Sequence, residues 1–211
     1  MKHVLLFLSI FAFSSCQTKS AYFSPESELP GWGVQTYHAK ALEEPALFNK
    51  RATNREQYRL IVFSGITPVH SIRLQVSEAS RSRLTTARLS GGYRLAKRPN
   101  LKSRKTTSIS KSRVEGFLAQ LEKQKFMDLE SLPIHGGEIC IHPTIFQFES
   151  VKGDQYYEYL MSVCSLSIEG VTMVKTFYEL AEITGEDEWS LTDYFSEAWK
   201  KPEYQNLLGE D

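Results

Sequence analysis

From Thr144 to Val151 apolar and polar residues alternate, the signature of a strand with two unlike faces. A Lys152-Gly153-Asp154 turn follows, and Gln155 to Val163 returns as a second strand rich in tyrosine. With Gly153-Asp154 as a tight hairpin loop, Phe146 faces Met161, Phe148 faces Tyr159 and Ser150 faces Tyr157. That register makes one coherent core face. It also sets Glu149 opposite Glu158 and Pro143 opposite Cys164.

Upstream, Tyr58 to Phe63 reads as a strand ended by Gly65 and Pro68. Val69 to Val76 alternates, with Ile72, Leu74 and Val76 on one side and Ser71, Arg73 and Gln75 on the other. Arg83 to Leu89 reads as a third strand, and the three together predict an antiparallel meander with one wet face. The stretch from Arg94 to Thr107 is basic, with a Pro99-Asn100 turn inside it and no strand assigned. Ser110 is a good N-cap, and Val114, Phe117, Leu118 and Leu121 then recur at helical spacing as far as Phe126. Val171 to Thr184 repeats the pattern with Val174, Phe177, Leu180 and Ala181, and Gly185 is the expected terminator. The fold class expected is therefore α+β: an antiparallel sheet, meander plus hairpin, covered by two amphipathic helices in one domain over 58–185. The acidic, aromatic tail 186–211, with Trp189, Tyr194, Phe195 and Trp199, fits a short helix packed back on that domain.

The start of the chain carries a different message. Met1-Lys2-His3 is basic, Val4 to Phe13 is apolar and too short to span a bilayer, and Ser14-Ser15-Cys16 follows. Phe13-Ser14-Ser15-Cys16 resembles the lipobox of bacterial lipoproteins, in which a Cys after small residues becomes lipidated and N-terminal. The resemblance implies a signal peptide over 1–15, palmitate-type acylation at Cys16, and a membrane partner reached through the lipid. Gln17 stands where Asp would resemble an inner-membrane retention signal, which favours the outer membrane, facing the periplasm. Residues 16–57 are expected as a tether and N-terminal extension. Gln17 to Pro30 is polar and rich in Ser, Glu and Pro. Ala39 to Asn49 has helical composition interrupted by Pro45.

Composition, 41% hydrophobic and 12% aromatic, excludes a disordered chain. Net charge is zero but unevenly spread: Ser71 to Lys125 holds 14 Lys/Arg against 3 Asp/Glu, whereas Phe126 to Asp211 holds 4 against 17. A nucleic-acid or anionic-lipid surface is one reading of the basic stretch, and mutual neutralisation of the two stretches across one fold is the other. An exported chain rarely meets nucleic acid, so no nucleic-acid partner is expected.

The candidate chemistry is sparse. His135, Cys140 and His142 lie close enough to hold zinc with a fourth ligand, but no Cys-x-x-Cys supports them. With Cys16 lipidated, Cys140 and Cys164 remain in an oxidising compartment, where an even remainder favours a disulfide. The hairpin register leaves Cys140 three residues short of the position opposite Cys164, so the chain must bend, at Gly136-Gly137 and Pro143. No Gly-x-Ser-x-Gly elbow occurs, and Gly91-Gly92 lacks phosphate-loop spacing. Glu149 and Glu158 could act as a hydrolase pair, though two solvent-facing carboxylates are the expectation. The Tyr156-Tyr157-Tyr159 cluster reads either as a binding surface or as ordinary strand residues.

Leu89-Ser90-Gly91-Gly92-Tyr93, Ile109-Ser110 opening a helix, Phe126-Met127-Asp128-Leu129, Phe146 and Glu149 on a strand, and Tyr156 together resemble an uncharacterised group of bacterial envelope proteins. The resemblance spans roughly 58–185 and departs at His142-Pro143, where that group tends to have Asp-Gly. It implies a fold and a compartment only, since that group has no known activity. The expectation is a non-catalytic binding or structural role on an envelope partner, with no cofactor. The alternative is a hydrolase of cell-wall or glycan material using Glu149 with another carboxylate.

Overall fold

A computed structural model describes residues 22–23, 33–50, 55–65, 67–77, 81–91, 99–130, 144–163, 165 and 167–183. Six strands form one antiparallel sheet: β1 (Gln57–Phe63), β2 (His70–Gln75), β3 (Ser82–Leu89), β4 (Leu101–Ile109), β5 (Ile145–Lys152) and β6 (Gln155–Ser162). Their order is β4-β3-β2-β1-β5-β6. The first three strands are the expected meander, and β4 extends it outward to the edge. Helix α2 (Lys111–Lys123) follows the edge strand β4, and the next strand, β5, pairs with β1 at the centre.

The β5–β6 hairpin has the expected register, with Phe146 opposite Met161, Phe148 opposite Tyr159, Ser150 opposite Tyr157 and Glu149 opposite Glu158. Gly153 takes φ +62° at the first loop position, where a type II′ hairpin turn needs a residue without Cβ. Strand β4 departs from the expectation of a basic stretch with a turn. Leu101 to Ile109 pairs with β3 along its length, and the Thr85 and Thr106 hydroxyls meet at 3.1 Å. Its exposed Lys102 and Lys105 keep a sheet edge from recruiting another strand.

On one face, Tyr58, Leu60, Val62, Ile72, Leu74, Phe146, Phe148 and Met161 meet Val114, Phe117 and Leu121 of α2 and Val174 and Phe177 of α3 (Ile168–Ala181). The Phe117 ring stands edge-on to Tyr58 and to Phe177, with centroids 5.7 and 5.0 Å apart. Ser110 caps α2 as expected, accepting a hydrogen bond from Arg113 N, and Ser167 caps α3 in the same way through Gly170 N. Gly170 permits the close approach of α3 to β6, because a Cβ there would lie 2.3 Å from Met161 Sδ. Helix α3 begins before Val171 and ends at Ala181. The left-handed residue after it is Glu182, whose backbone N–H and that of Ile183 return to the carbonyls of Glu179 and Tyr178. The expected terminator, Gly185, lies outside the described residues, as does the tail 186–211.

The opposite face is not wet over this half of the sheet. Ile61, Phe63, Ala87, Leu89, Ile145 and Leu160 are buried beneath Ala39 and Leu42, from α1 (Gly33–Ala41) and its exit, together with Tyr22 and Phe23. Part of the expected tether and extension therefore packs on the sheet. Tyr22 and Phe23, inside a polar stretch, are buried with their rings edge to face at 5.0 Å. Among the described residues no helix is long and apolar enough to cross a membrane.

Candidate functional site

Glu149 is fully buried, which corrects the expectation of a solvent-facing carboxylate. It sits on the second face of β5, beside Arg59 of β1, its cross-strand partner. Arg59 Nε donates to Glu149 Oε2 at 2.7 Å, and Tyr156 OH, on β6, donates to Oε1 at 2.8 Å. Burial pushes the Glu149 carboxyl up from its ordinary value, and the Arg59 guanidinium beside it offsets only part of that rise. Arg59 is itself fully buried. Burial pulls its pKa down, but Glu149 and Glu44 together more than reverse that and hold it charged. The aromatic pair Tyr22 and Phe23 closes over it, with the guanidinium carbon 5.9 and 5.8 Å from the two ring centroids. Glu158, directly opposite Glu149 in the hairpin, accepts a hydrogen bond from Gln147 Nε2 at its Oε1.

A second carboxylate completes this network from outside the sheet. Helix α1 ends with Glu43 in the left-handed conformation, φ 57°, and the N–H groups of Glu43 and Glu44 return to the carbonyls of Lys40 and Ala39. That turn aims Glu44 at the sheet. Its buried carboxylate accepts from Arg73 Nε at 2.8 Å and Ser71 Oγ at 3.1 Å, and lies 3.7 Å from both Arg59 Nη1 and Arg104 Nη1. The backbone is held as well. Arg59 Nη1 donates to Pro45 O, Tyr22 OH donates to Glu44 O, and Arg104 Nη1 donates to the carbonyls of Leu42 and Glu43 at 2.6 and 3.1 Å. Arg104 thus serves the carbonyl end of α1, where a cation is favoured.

Beyond Glu44 the second face is open. A cleft of about 620 Å³ lies there, lined by Arg55, Arg73, Arg104, Gln57, Gln75 and the Glu43–Pro45 turn. Sequence reasoning put Arg73 and Gln75 on the polar side of β2 but did not find the cleft. Arg104 belongs to a strand that was not assigned, and Glu44 to the stretch interrupted by Pro45. A smaller hollow of about 360 Å³ lies between α2 and β1, with Leu118, Phe126 and Met127 on its wall.

The tyrosine cluster is split by the strand's alternation. Tyr159 is core, with its OH 3.0 Å from Ser167 Oγ, while Tyr156 turns to the other face, onto Glu149 and the edge of the Phe48 ring. They are strand residues with separate duties. On the helix-covered face His70 is buried; its Nδ1–H donates to Pro68 O at 3.1 Å, so Nε2 accepts from Tyr178 OH. Burial lowers the His70 pKa to about 4 and keeps the ring neutral. Of the ion pairs between described residues, Arg113–Glu182, at 2.7 Å, joins the basic and acidic stretches, whereas Arg73 and Arg104 turn to the N-terminal segment.

Cys16, Cys140 and Cys164 lie outside the described residues, and so do His135 and His142. No family model matches this chain, and no curated protein matches it significantly.

Proposed function

We propose that this is a lipid-anchored envelope protein of bacterial type, tethered through Cys16 with its α+β domain facing the periplasm, and that the domain binds or supports an envelope partner without catalysis. The membrane attachment rests on the basic start, the short apolar run and Ser14-Ser15-Cys16. One observation carries the non-catalytic part. The Glu149 carboxylate has both oxygens engaged, one by the Arg59 guanidinium and one by Tyr156 OH, and it is fully buried. A general acid or nucleophile must reach its substrate within hydrogen-bond distance, and a carboxylate so enclosed is held for the fold. Multiple acyl chains at Cys16 supply stable attachment, since a single chain holds only marginally. Cys140 and Cys164 form the one disulfide of the mature chain in this reading.

The test has two arms. Replacing Cys16 with Ser should move the protein from the membrane fraction to the soluble periplasm and abolish labelled-palmitate incorporation; continued membrane attachment of an unlabelled chain would overturn the anchor. Purified protein should release nothing from peptidoglycan, esters or peptides. Turnover that vanishes in Glu149→Gln, with folding intact, would replace the binder with a hydrolase.

A further inference from the structure

The cleft on the open half of the second face has the makings of a binding site, and its chemistry is specific. Arg55, Arg73 and Arg104 line it, with the Glu43–Pro45 turn on its wall and Gln57 and Gln75, cross-strand partners, beside them. Its volume of about 620 Å³ is that of a small-molecule site. We infer that this cleft binds a small polar molecule through an oxyanion, a carboxylate or a phosphate, gripped by Arg55, Arg73 and Arg104. The inference deepens the binding reading above and rests on it.

Charge supplies the first argument. Three guanidiniums, Arg55, Arg73 and Arg104, meet two carboxylates, Glu43 and Glu44, among the residues that line the cleft. One positive charge is left over, and Arg55 makes no ion pair among the described residues. Glu43 is exposed and 4.0 Å from Arg104 Nε, a distance at which solvent weakens the pair. A single anionic group balances the surplus.

Donor geometry supplies the second. Each guanidinium carries five N–H donors in a planar fork suited to two oxygens at once. Arg73 commits Nε to Glu44 and Nη1 to Gln57 Oε1 at 3.4 Å, and Arg104 commits Nη1 to the carbonyls of Leu42 and Glu43. Among the described residues the Nη2 groups of both make no hydrogen bond, and neither does Arg55. The two committed arginines are therefore oriented by the fold before any ligand arrives, which reduces the ordering cost of binding. Shape argues against a long polyanion. The surplus is one charge in a concavity, and Glu43 at its wall would repel a chain of phosphates.

Three probes test this on the full-length chain in detergent micelles by calorimetric titration: N-acetyl-alanyl-alanine, the same dipeptide as its C-terminal amide, and inorganic phosphate. Saturable binding of the peptide acid alone identifies a carboxylate, saturable binding of phosphate alone identifies a phosphoryl group, and binding of both identifies the shared oxyanion. Arg55→Gln, which disturbs no described contact, should weaken the binding about tenfold, the loss of one charge-assisted contact. Arg73→Gln should weaken it at least as much, and if that variant misfolds Arg55→Gln still decides. The proposal falls if neither anion saturates, if the amide binds as well as the acid, or if Arg55→Gln changes nothing. Flat titrations would remove the site while leaving the anchored, non-catalytic reading in place, and cell-wall turnover would do the reverse.

Discussion

The two faces of the sheet are closed by different physics. On the helix-covered face, α2 and α3 bury a continuous apolar core in which His70 and Tyr178 satisfy each other as neutral groups. On the other face a short helix and two aromatics cover only half the sheet, and beside them Arg59, Glu44 and Glu149 are buried as charges. The first face was free to use long helices whose apolar stripes cover many strands at once. The second is closed by an N-terminal segment whose one α-helix among the described residues has nine residues. So short a helix buries little apolar area, and specific polar contacts hold its exit turn: Arg104 on its last carbonyls and three arginines around Glu44. A buried ion pair adds little net stability compared with a packed apolar core, but removing one partner strands the other. The helix-covered face should therefore tolerate volume-conserving exchanges of apolar residues, and the second face should not tolerate the loss of a single charge.

The sharpest contrast comes from truncating the helix-covered core. Phe177 is fully buried between Phe117 and Phe148, so Phe177→Ala should cost about 4 kcal/mol of unfolding free energy in urea. A cost under 1 kcal/mol would mean that packing does not hold this face. Next comes pH. The His70 pKa is about 4 in the fold against an ordinary 6.5, so the unfolded chain binds the proton more readily between those values. Stability is fully present above pH 6.5 and is lost as pH falls toward 4, by about 3 kcal/mol in all. His70→Gln should flatten that slope; an unchanged slope would move the acid sensitivity to other groups. Smallest is the cap of α2, where Ser110→Ala should cost about 1 kcal/mol by thermal melting.

Legibility in the sequence followed the same division. The hairpin could be read because its alternation and its Gly153-Asp154 loop are local signals that agree. The stripes of α2 and α3 could be read because each presents one apolar face to one core. Strand β4 could not, since an edge strand of Lys, Ser, Arg and Thr exposed on both sides has no alternation to detect. The covered second face left a trace that went unused: Leu60-Ile61-Val62-Phe63 does not alternate, as befits a central strand buried on both sides. Glu149 gave no such trace. A carboxylate between Phe148 and Ser150 reads as solvent-facing until Arg59, 90 residues away, is placed beside it. The cleft was hidden for the same reason, because its arginines come from β2, β4 and the approach to β1.

The central claim is that Arg59 and Glu149 hold the second face shut as a buried ion pair. A double-mutant cycle on unfolding free energy tests it most directly, using Arg59→Met, Glu149→Leu and the pair together. Each single change should cost about 3–5 kcal/mol because it leaves a buried charge uncompensated, and the double variant should recover most of that loss. Single changes that cost less than about 1 kcal/mol and simply add would show a solvated, accessible Glu149, and would contradict the account.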